Sequence, residues 1–385
     1  MDKTERLFDK SSKLNIFDAT VLSCTETEGG KYAAVLDKTA FFPNEGGQAC
    51  DTGKIGGVNV ISVDEKDGII THMLDGTVEV GRQVSCTVDF EARFRKMQNH
   101  TAEHIVSGMI HRLFGYCNVG FHLGEGYMTA DFNGELTESD IEKVEHLANK
   151  AVFECHPVRA YYPTAEELKT LEYRSKLDLR ENVRIVEIEG VDMCACCAPH
   201  VENTGEVGLV KIIDAIRYKG GMRLTMIAGF DALADYRARQ EQIKRISMAI
   251  SAKQSEVAEG VCRVLSDMES LKVQLSALKR EKMQMKLESI MDTENSIIVF
   301  EDNDDMLALR NFVNGAVKKT QKLCAVFAGD DEKGYKYIIA SENIPLRALS
   351  KEISLSLGGR GGGSDVMIQG SVTATRDQIE EFFKF

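Results

Sequence analysis

Two pairs of metal-ligand residues, far apart in sequence, constrain this chain more than any other feature: His100 and His104 in His100-Thr101-Ala102-Glu103-His104, and Cys196 and His200 in Cys196-Cys197-Ala198-Pro199-His200. Residues 91–114 place Met97, Val106, Met109, Ile110, Leu113 and Phe114 at three- and four-residue spacings, which predicts a half-buried helix. Residues four apart on a helix stack on one face, so both imidazoles can address one point. The cysteine stretch carries Pro199 and runs into the polar Glu202-Asn203-Thr204-Gly205-Glu206, as a loop entering a strand does. Any fold satisfying both pairs must bring that loop to that helix. Zinc takes imidazole nitrogen and thiolate sulfur tetrahedrally; four protein ligands close a site and three leave room for water. A metal-dependent hydrolase is the leading reading. Each half alone has a blander one, a chance His-x3-His on an amphipathic helix or a set of small buried cysteines. Glu103 precedes the second histidine instead of following the first, which disfavours the His-Glu-x-x-His protease pattern.

The length of 385 residues predicts two to four domains. With 60 acidic against 47 basic side chains the net charge is −13, so nucleic-acid contacts must come from local basic patches. The first residues lack an apolar signal region and no apolar run reaches membrane-spanning length, while ten cysteines include several isolated ones. These features predict a cytoplasmic protein with reduced thiols that engages neither membrane nor DNA.

Four regions follow, giving an α+β multidomain chain. Residues 1–90 hold short β-branched runs punctuated by Asp67-Gly68 and Asp75-Gly76, expected to form a small β-barrel. Within them, Gly46-Gly47-Gln48, followed by Asp51-Thr52-Gly53, allows either close backbone approach to a ligand or simply a tight turn. Residues 91–230 form an α+β unit containing both halves of the ligand set, with a hairpin over 119–132, a helix over 141–155 and a strand over 183–188. Residues 231–292 predict a long helical arm: Ile243, Ile250, Val257, Val264, Leu271, Leu278 and Met285 recur every seven residues as a coiled-coil seam, with a kink or register change expected near Gly260. Residues 293–385 predict an α/β module with a Gly-rich loop, Gly358 to Ser364, whose bare amides and Arg360 could approach phosphate.

Gly46-Gly47-Gln48 with Asp51-Thr52-Gly53, His100 to His104, Cys196 to Gly208 and Gly358 to Gly363, in this order, resemble the C-terminal half of alanyl-tRNA synthetases and the free-standing alanyl-tRNA editing proteins called AlaX, in their long form. The resemblance spans nearly the whole chain. It implies hydrolysis of the ester joining serine or glycine to the alanine tRNA, at one zinc ion held by His100, His104, Cys196 and His200. Aminoacylation is not expected, since that would require several hundred residues upstream. The synthetase Cys-Gly-Gly-Thr-His is here Cys-Cys-Ala-Pro-His, and the glutamine that follows the first helix in many synthetases aligns with Asn118.

An aminoacyl ester is already activated, so a positioned water and oxyanion stabilisation suffice; zinc could act in catalysis, in anchoring substrate or in holding the fold. The substrate-binding candidates are Gly46, Gly47, Gln48, Asn118, Thr129 and Asp131, with Thr129, Asn118 and Gln48 as partners for a serine hydroxyl. Arg93, Arg95 and Lys96, then Lys219 and Arg223, then Arg360 are the tRNA-binding candidates. A homodimer through the coiled coil or the C-terminal module is a further expectation. Two alternatives stand beside the deacylase: a non-catalytic tRNA-binding or dimerisation module with structural zinc, and a deacylase of the same fold for another aminoacyl-tRNA.

Overall fold

The computed structural model describes residues 3–124, 126–175, 183–302 and 305–384. The chain is a mixed α/β multidomain protein that divides into two compact units, Met1–Gln242 and Ile243–Phe385.

In the first unit, six strands close on themselves in the order Ile16–Thr27, Lys31–Leu36, Ile69–Leu74, Val58–Lys66, Gly53–Ile55 and Gln83–Val88. Alternation decides the interior: along Ile69–Leu74 the buried positions are Ile70, His72 and Leu74. Asp67 and Gly68 both have positive φ, 55° and 81°, and join two of these strands by a tight turn whose twist matches theirs.

Helix α1 (Phe90–Phe114) starts on Asp89, whose carboxylate accepts from the Ala92 N–H, and ends on Gly115 at φ 74°. Its apolar residues Met97, Ile105, Val106, Met109 and Ile110 share one core with Met128, Leu224 and Met226. Those last residues belong to a four-stranded antiparallel sheet, ordered Val210–Tyr218, Gly221–Ala228, Met128–Phe132, Asn118–Leu123. Helix α2 (Glu138–Phe153), opened by a Thr137–Asp140 capping box, adds Val144, Ala148 and Val152 to the same core. A three-stranded sheet, Val158–Tyr161, Ile185–Ile188 and Asp192–Ala195, leads into the cysteine loop. Helix α3 (Ala165–Thr170) follows its first strand.

The arm departs from expectation. Helix α4 (Gly229–Ala249) and helix α5 (Val257–Ser289) are separate, with the break at 250–256 and Ser251 at φ 52°. Gly260 is not the hinge. It lies in the first turns of α5, where an added Cβ would stand 2.6 Å from the Ile250 side chain, so glycine is there to let the returning chain come close. From Val264 onward the seven-residue seam is exposed: Leu271 is 63% exposed and Met285 64%, whereas Met283 is buried and Leu287 bears on Gly315 of helix α6 (Met306–Ala316). A heptad pattern records an apolar stripe, and the neighbour selects another face.

The C-terminal sheet runs Ile297–Glu301, Cys324–Asp330, Gly334–Ala340, Met367–Val372, Arg360–Gly363, with only the first pair parallel. The expected Gly-rich loop is therefore an edge strand. Arg360–Gly363 pairs with Ser371–Ile368, and a Cβ on Gly361 would stand 2.0 Å from the buried Tyr337 hydroxyl. Its glycines make room for a tyrosine, and the ladder uses backbone that a phosphate cradle would need.

Candidate metal centre

His100, His104, Cys196 and His200 meet, offering one donor atom each, all within 4.8 Å of one another. Helix α1 supplies the first two from successive turns; the strand Asp192–Ala195 delivers the cysteine loop against the same face. Cys196 Sγ is 3.6 Å from His100 Nε2 and 3.4 Å from His200 Nε2. All three histidines are buried.

Each ring is fixed through Nδ1. His100 Nδ1 donates to Gln48 Oε1 at 2.9 Å, and His104 Nδ1 to Asp192 Oδ2 at 3.1 Å. His200 Nδ1 lies 3.0 Å from Thr101 Oγ1, which also accepts from the Val201 N–H at 3.3 Å. A carboxamide oxygen and a carboxylate can only accept, so Nδ1 carries the proton in the first two and Nε2 keeps its lone pair. Lone pairs gathered within 4.8 Å in a buried site repel each other, and a cation removes that repulsion. The arrangement is the one that outer partners impose on metal-ligating imidazoles.

Electrostatics points the same way. Burial, helped by Cys197, raises the Cys196 thiol, while burial together with His104 and His100 holds His200 well below the usual imidazole range. Neutral imidazole is the ligating form, and a bound cation stabilises the thiolate that burial disfavours. Burial would raise Asp192 too, but hydrogen bonds from His104 and Arg174 outweigh it and bring the carboxyl down to about 2. Arg174 grips Asp192 with Nε at 2.7 Å and Nη2 at 2.8 Å.

His100, His104 and Cys196 line a cavity of about 420 Å³, together with Glu103, Asn118, Phe121, Arg174, Tyr162 and Arg6. Glu103, 4% exposed, accepts from Ser107 Oγ and Asn118 Nδ2. A neighbouring cavity of about 620 Å³ shares Asn118, Arg174, Ser175 and Cys194 with it.

The other expected site residues divide. Gly46, at φ 65°, lines the cavity; Gly47, at φ 82°, would bring a Cβ within 2.6 Å of the Phe121 carbonyl. The pair is a tight turn that docks on Asn118–Leu123 and hands Gln48 to His100. Gln48 thus serves a ligand. Asn118 lines the cavity, yet its amide donates to Glu103 and Ser107 and its oxygen accepts from the Gly120 N–H, so it holds Glu103 in place. Thr129 and Asp131 are not among the described residues lining the cavity, and Asp131 is clamped by Arg223 at 2.6 and 2.8 Å.

One tRNA-binding expectation is corrected. Arg93 is fully buried, bonded to the Asp51 carboxylate and to the Ala40 and Leu14 carbonyls, so it bolts α1 to the barrel. Lys96 donates to the Ala49 and Cys50 carbonyls. Arg95 pairs with Asp231 and Glu91, and Arg223 stacks 3.8 Å from the Tyr218 ring centroid; Lys219 and Arg360 are exposed. Thr101, Glu103, Asp192, Arg174 and Tyr162 were not singled out as site residues. A signal existed for Asp192: strand alternation puts 192, 194 and 196 on one side.

Three family models match: tRNA synthetases class II (A) over residues 4–92, the threonyl and alanyl tRNA synthetase second additional domain over 183–264, and the DHHA1 domain over 294–385. The chain is similar to the alanyl-tRNA editing protein AlaX-L of Pyrococcus horikoshii, at 28% identity over 97% of this chain and 96% of that one. It is also similar to alanine–tRNA ligases of Thermofilum pendens, 29% identical over 97% of this chain, and Ignicoccus hospitalis, 30% identical over 70% of it. The matches span only 43% and 31% of those two ligases.

Proposed function

We propose that the protein is an aminoacyl-tRNA deacylase that edits mischarged alanine tRNA in trans, releasing serine or glycine, with zinc held by His100, His104, Cys196 and His200. The observation that carries this reading is the convergence of three imidazoles and one thiol beside a cavity, each ring fixed through Nδ1, in a chain similar end to end to an alanyl-tRNA editing protein. Mixed nitrogen and sulfur donors favour zinc over harder cations.

When bound, zinc supplies a Lewis acid that polarises an ester carbonyl. The chain's own groups do the rest. Gln48, Asp192 and Thr101 hold the imidazoles so that no reorganisation accompanies reaction. Glu103, its carboxylate fixed by Ser107 and Asn118, gives the cavity a negative wall suited to the α-ammonium group that every aminoacyl ester carries. Of the three hydroxyl-partner candidates, only Asn118 is among the described residues lining the cavity, so discrimination of serine from alanine falls to it and Glu103.

In this reading residues 1–90 form the barrel that positions Gln48, 91–230 the editing domain, 231–292 the arm and 293–385 a module for tRNA or a second copy. The reaction belongs to the cytoplasm, where charged tRNA is found. No helix among the described residues is long and apolar enough to cross a membrane.

The test is direct: purified zinc-loaded protein is given alanine tRNA charged with serine, glycine or alanine. Release of serine or glycine with alanine spared supports the reading, and intact seryl and glycyl esters refute it. Four protein donors also suit a purely structural zinc. A Cys196→Ala variant that stays folded and binds tRNA but no longer deacylates excludes that second reading; one that loses folding and binding together supports it.

A further inference from the structure

Gln48, Asp192 and Thr101 each fix one imidazole of the quartet from outside. The sulfur donor sits on a loop, and a ligand on a loop needs a holder of its own. Arg184 touches that loop from both sides. Its backbone carbonyl accepts from the Cys196 N–H at 3.0 Å, which extends by one rung the ladder in which Ile185 faces Ala195. Its guanidinium then reaches round the same residue: Nη1 donates to the Cys196 carbonyl at 3.0 Å and to the Ala198 carbonyl at 2.9 Å.

A residue bonded at both its N–H and its C=O has the peptide planes on either side of it fixed, and with them the direction of its Cα–Cβ bond. For Cys196 that direction sets where Sγ stands, 3.6 Å from His100 Nε2 and 3.4 Å from His200 Nε2. The second bond holds the loop two residues further on, at the buried Ala198, just before Pro199 and His200. One side chain therefore shapes the segment that carries two of the four donors. Without it, a buried carbonyl at Ala198 would lose its partner, and the loop would turn to find another.

A fixed positive charge is a poor neighbour for a dication unless a counter-charge accompanies it. Arg184 is 7% exposed and has one: Asp9, in the N-terminal turn Leu7–Asp9, stands 3.5 Å from Nε through Oδ1. The other oxygen of Asp9 accepts from the Tyr162 hydroxyl at 3.0 Å and pairs with Arg6 Nε at 3.0 Å. Both carboxylate oxygens are thus occupied, and the counter-charge is held where Arg184 needs it. A lysine ammonium lacks the rigid fork that lets one guanidinium serve two carbonyls and a carboxylate together.

We infer that Arg184 is the positioning residue of the sulfur donor: it shapes the loop from Cys196 to His200 so that thiolate and imidazole reach one cation together, while Asp9 neutralises its charge. This rests on the zinc site of the reading above and is independent of whether that site deacylates tRNA.

The test uses the full chain and two measurements, zinc affinity by competition with a chromophoric chelator and the thiolate-to-metal charge-transfer band of the cobalt-loaded protein. Arg184→Ala should bind zinc about 10- to 100-fold more weakly than wild type and show a weakened cobalt band. Ethylguanidinium, placed in the space the side chain leaves, should restore both in that variant and change neither in wild type. Arg184→Lys should fall between the two. A residue that merely joined elements of the fold would lower the melting temperature and leave affinity and band at wild-type values; that result overturns the inference. If Arg184→Ala does not fold, Arg184→Lys and Asp9→Asn decide: weaker zinc binding in both supports the inference, and wild-type affinity in both overturns it. Wild type that takes up no zinc removes the metal centre and this inference together. Wild type that binds zinc, with variants that match it, removes this inference alone.

Discussion

Two regions of this protein bury histidine, and they bury it differently. In the barrel, His72 donates from Nδ1 to the Ala34 carbonyl at 3.3 Å, and its Nε2 lies 2.9 Å from Thr39 Oγ1, which in turn accepts from the Phe41 N–H at 3.1 Å. Both ring nitrogens are used and the ring edges against Phe41. Between helix α1 and the cysteine loop, His100, His104 and His200 use Nδ1 on fixed partners and turn the other nitrogen toward one another and Cys196. A histidine bonded from both nitrogens to a backbone carbonyl and a hydroxyl is a core residue. One fixed through Nδ1, whose other nitrogen meets a thiol and two more imidazoles fixed likewise, has the arrangement of a metal ligand.

The largest effect should come from deleting the sulfur. Cys196→Ala is expected to abolish zinc retention after dialysis, measured by metal analysis, and to lower serine release by on the order of 1,000-fold. The same reading predicts that His72→Gln leaves zinc content untouched; zinc loss in that variant would erase the contrast.

Next comes a pH effect confined to the barrel. Burial lowers His72 to about 4, against the donation to Ala34. Its folded pKa lies below the unfolded one near 6.5, so protons bind the unfolded chain more readily. Stability is then full above about pH 6.5, falls by about 3 kcal/mol as pH drops toward 4, and is flat in this term below that. Urea titrations of wild type and His72→Gln across that window check it, since the variant should lack this component.

Smaller still is the outer partner. Asp192→Asn keeps an acceptor for His104 but loses the charge that Arg174 grips, so zinc affinity in a chelator competition should fall by about 10- to 100-fold. The least effect is expected from Thr39→Val, which removes the partner of His72 and should cost about 1–2 kcal/mol in unfolding free energy without altering zinc binding.

Much of the site was legible because helix and loop chemistry are local. Four-residue spacing on a helix and a Cys-x3-His loop say which atoms can converge without knowledge of the path between them. The outer partners were not. Thr101 reads as filler between two histidines, and its role depends on His200 arriving from the cysteine loop. Arg93 read as part of a basic patch because a charge run looks the same whether it faces water or a buried carboxylate, and only the barrel's Asp51 tells the two apart. The seam through Leu271 and Met285 shows the same ambiguity for apolar residues: periodicity marks a stripe, while Met283 and Leu287 are the ones that found a neighbour.

The sequence by itself determined the donor types, their pairing on helix and loop, and the mixed α/β order of the segments, since each follows from spacing and side-chain chemistry along a short stretch. Tertiary structure alone decided which nitrogen of each ring is offered, which arginines are buried, and that the Gly-rich stretch is an edge strand. Those depend on contacts between residues as many as a hundred positions apart, such as Thr101 with His200, and a contact of that range leaves no periodic trace in either stretch that makes it.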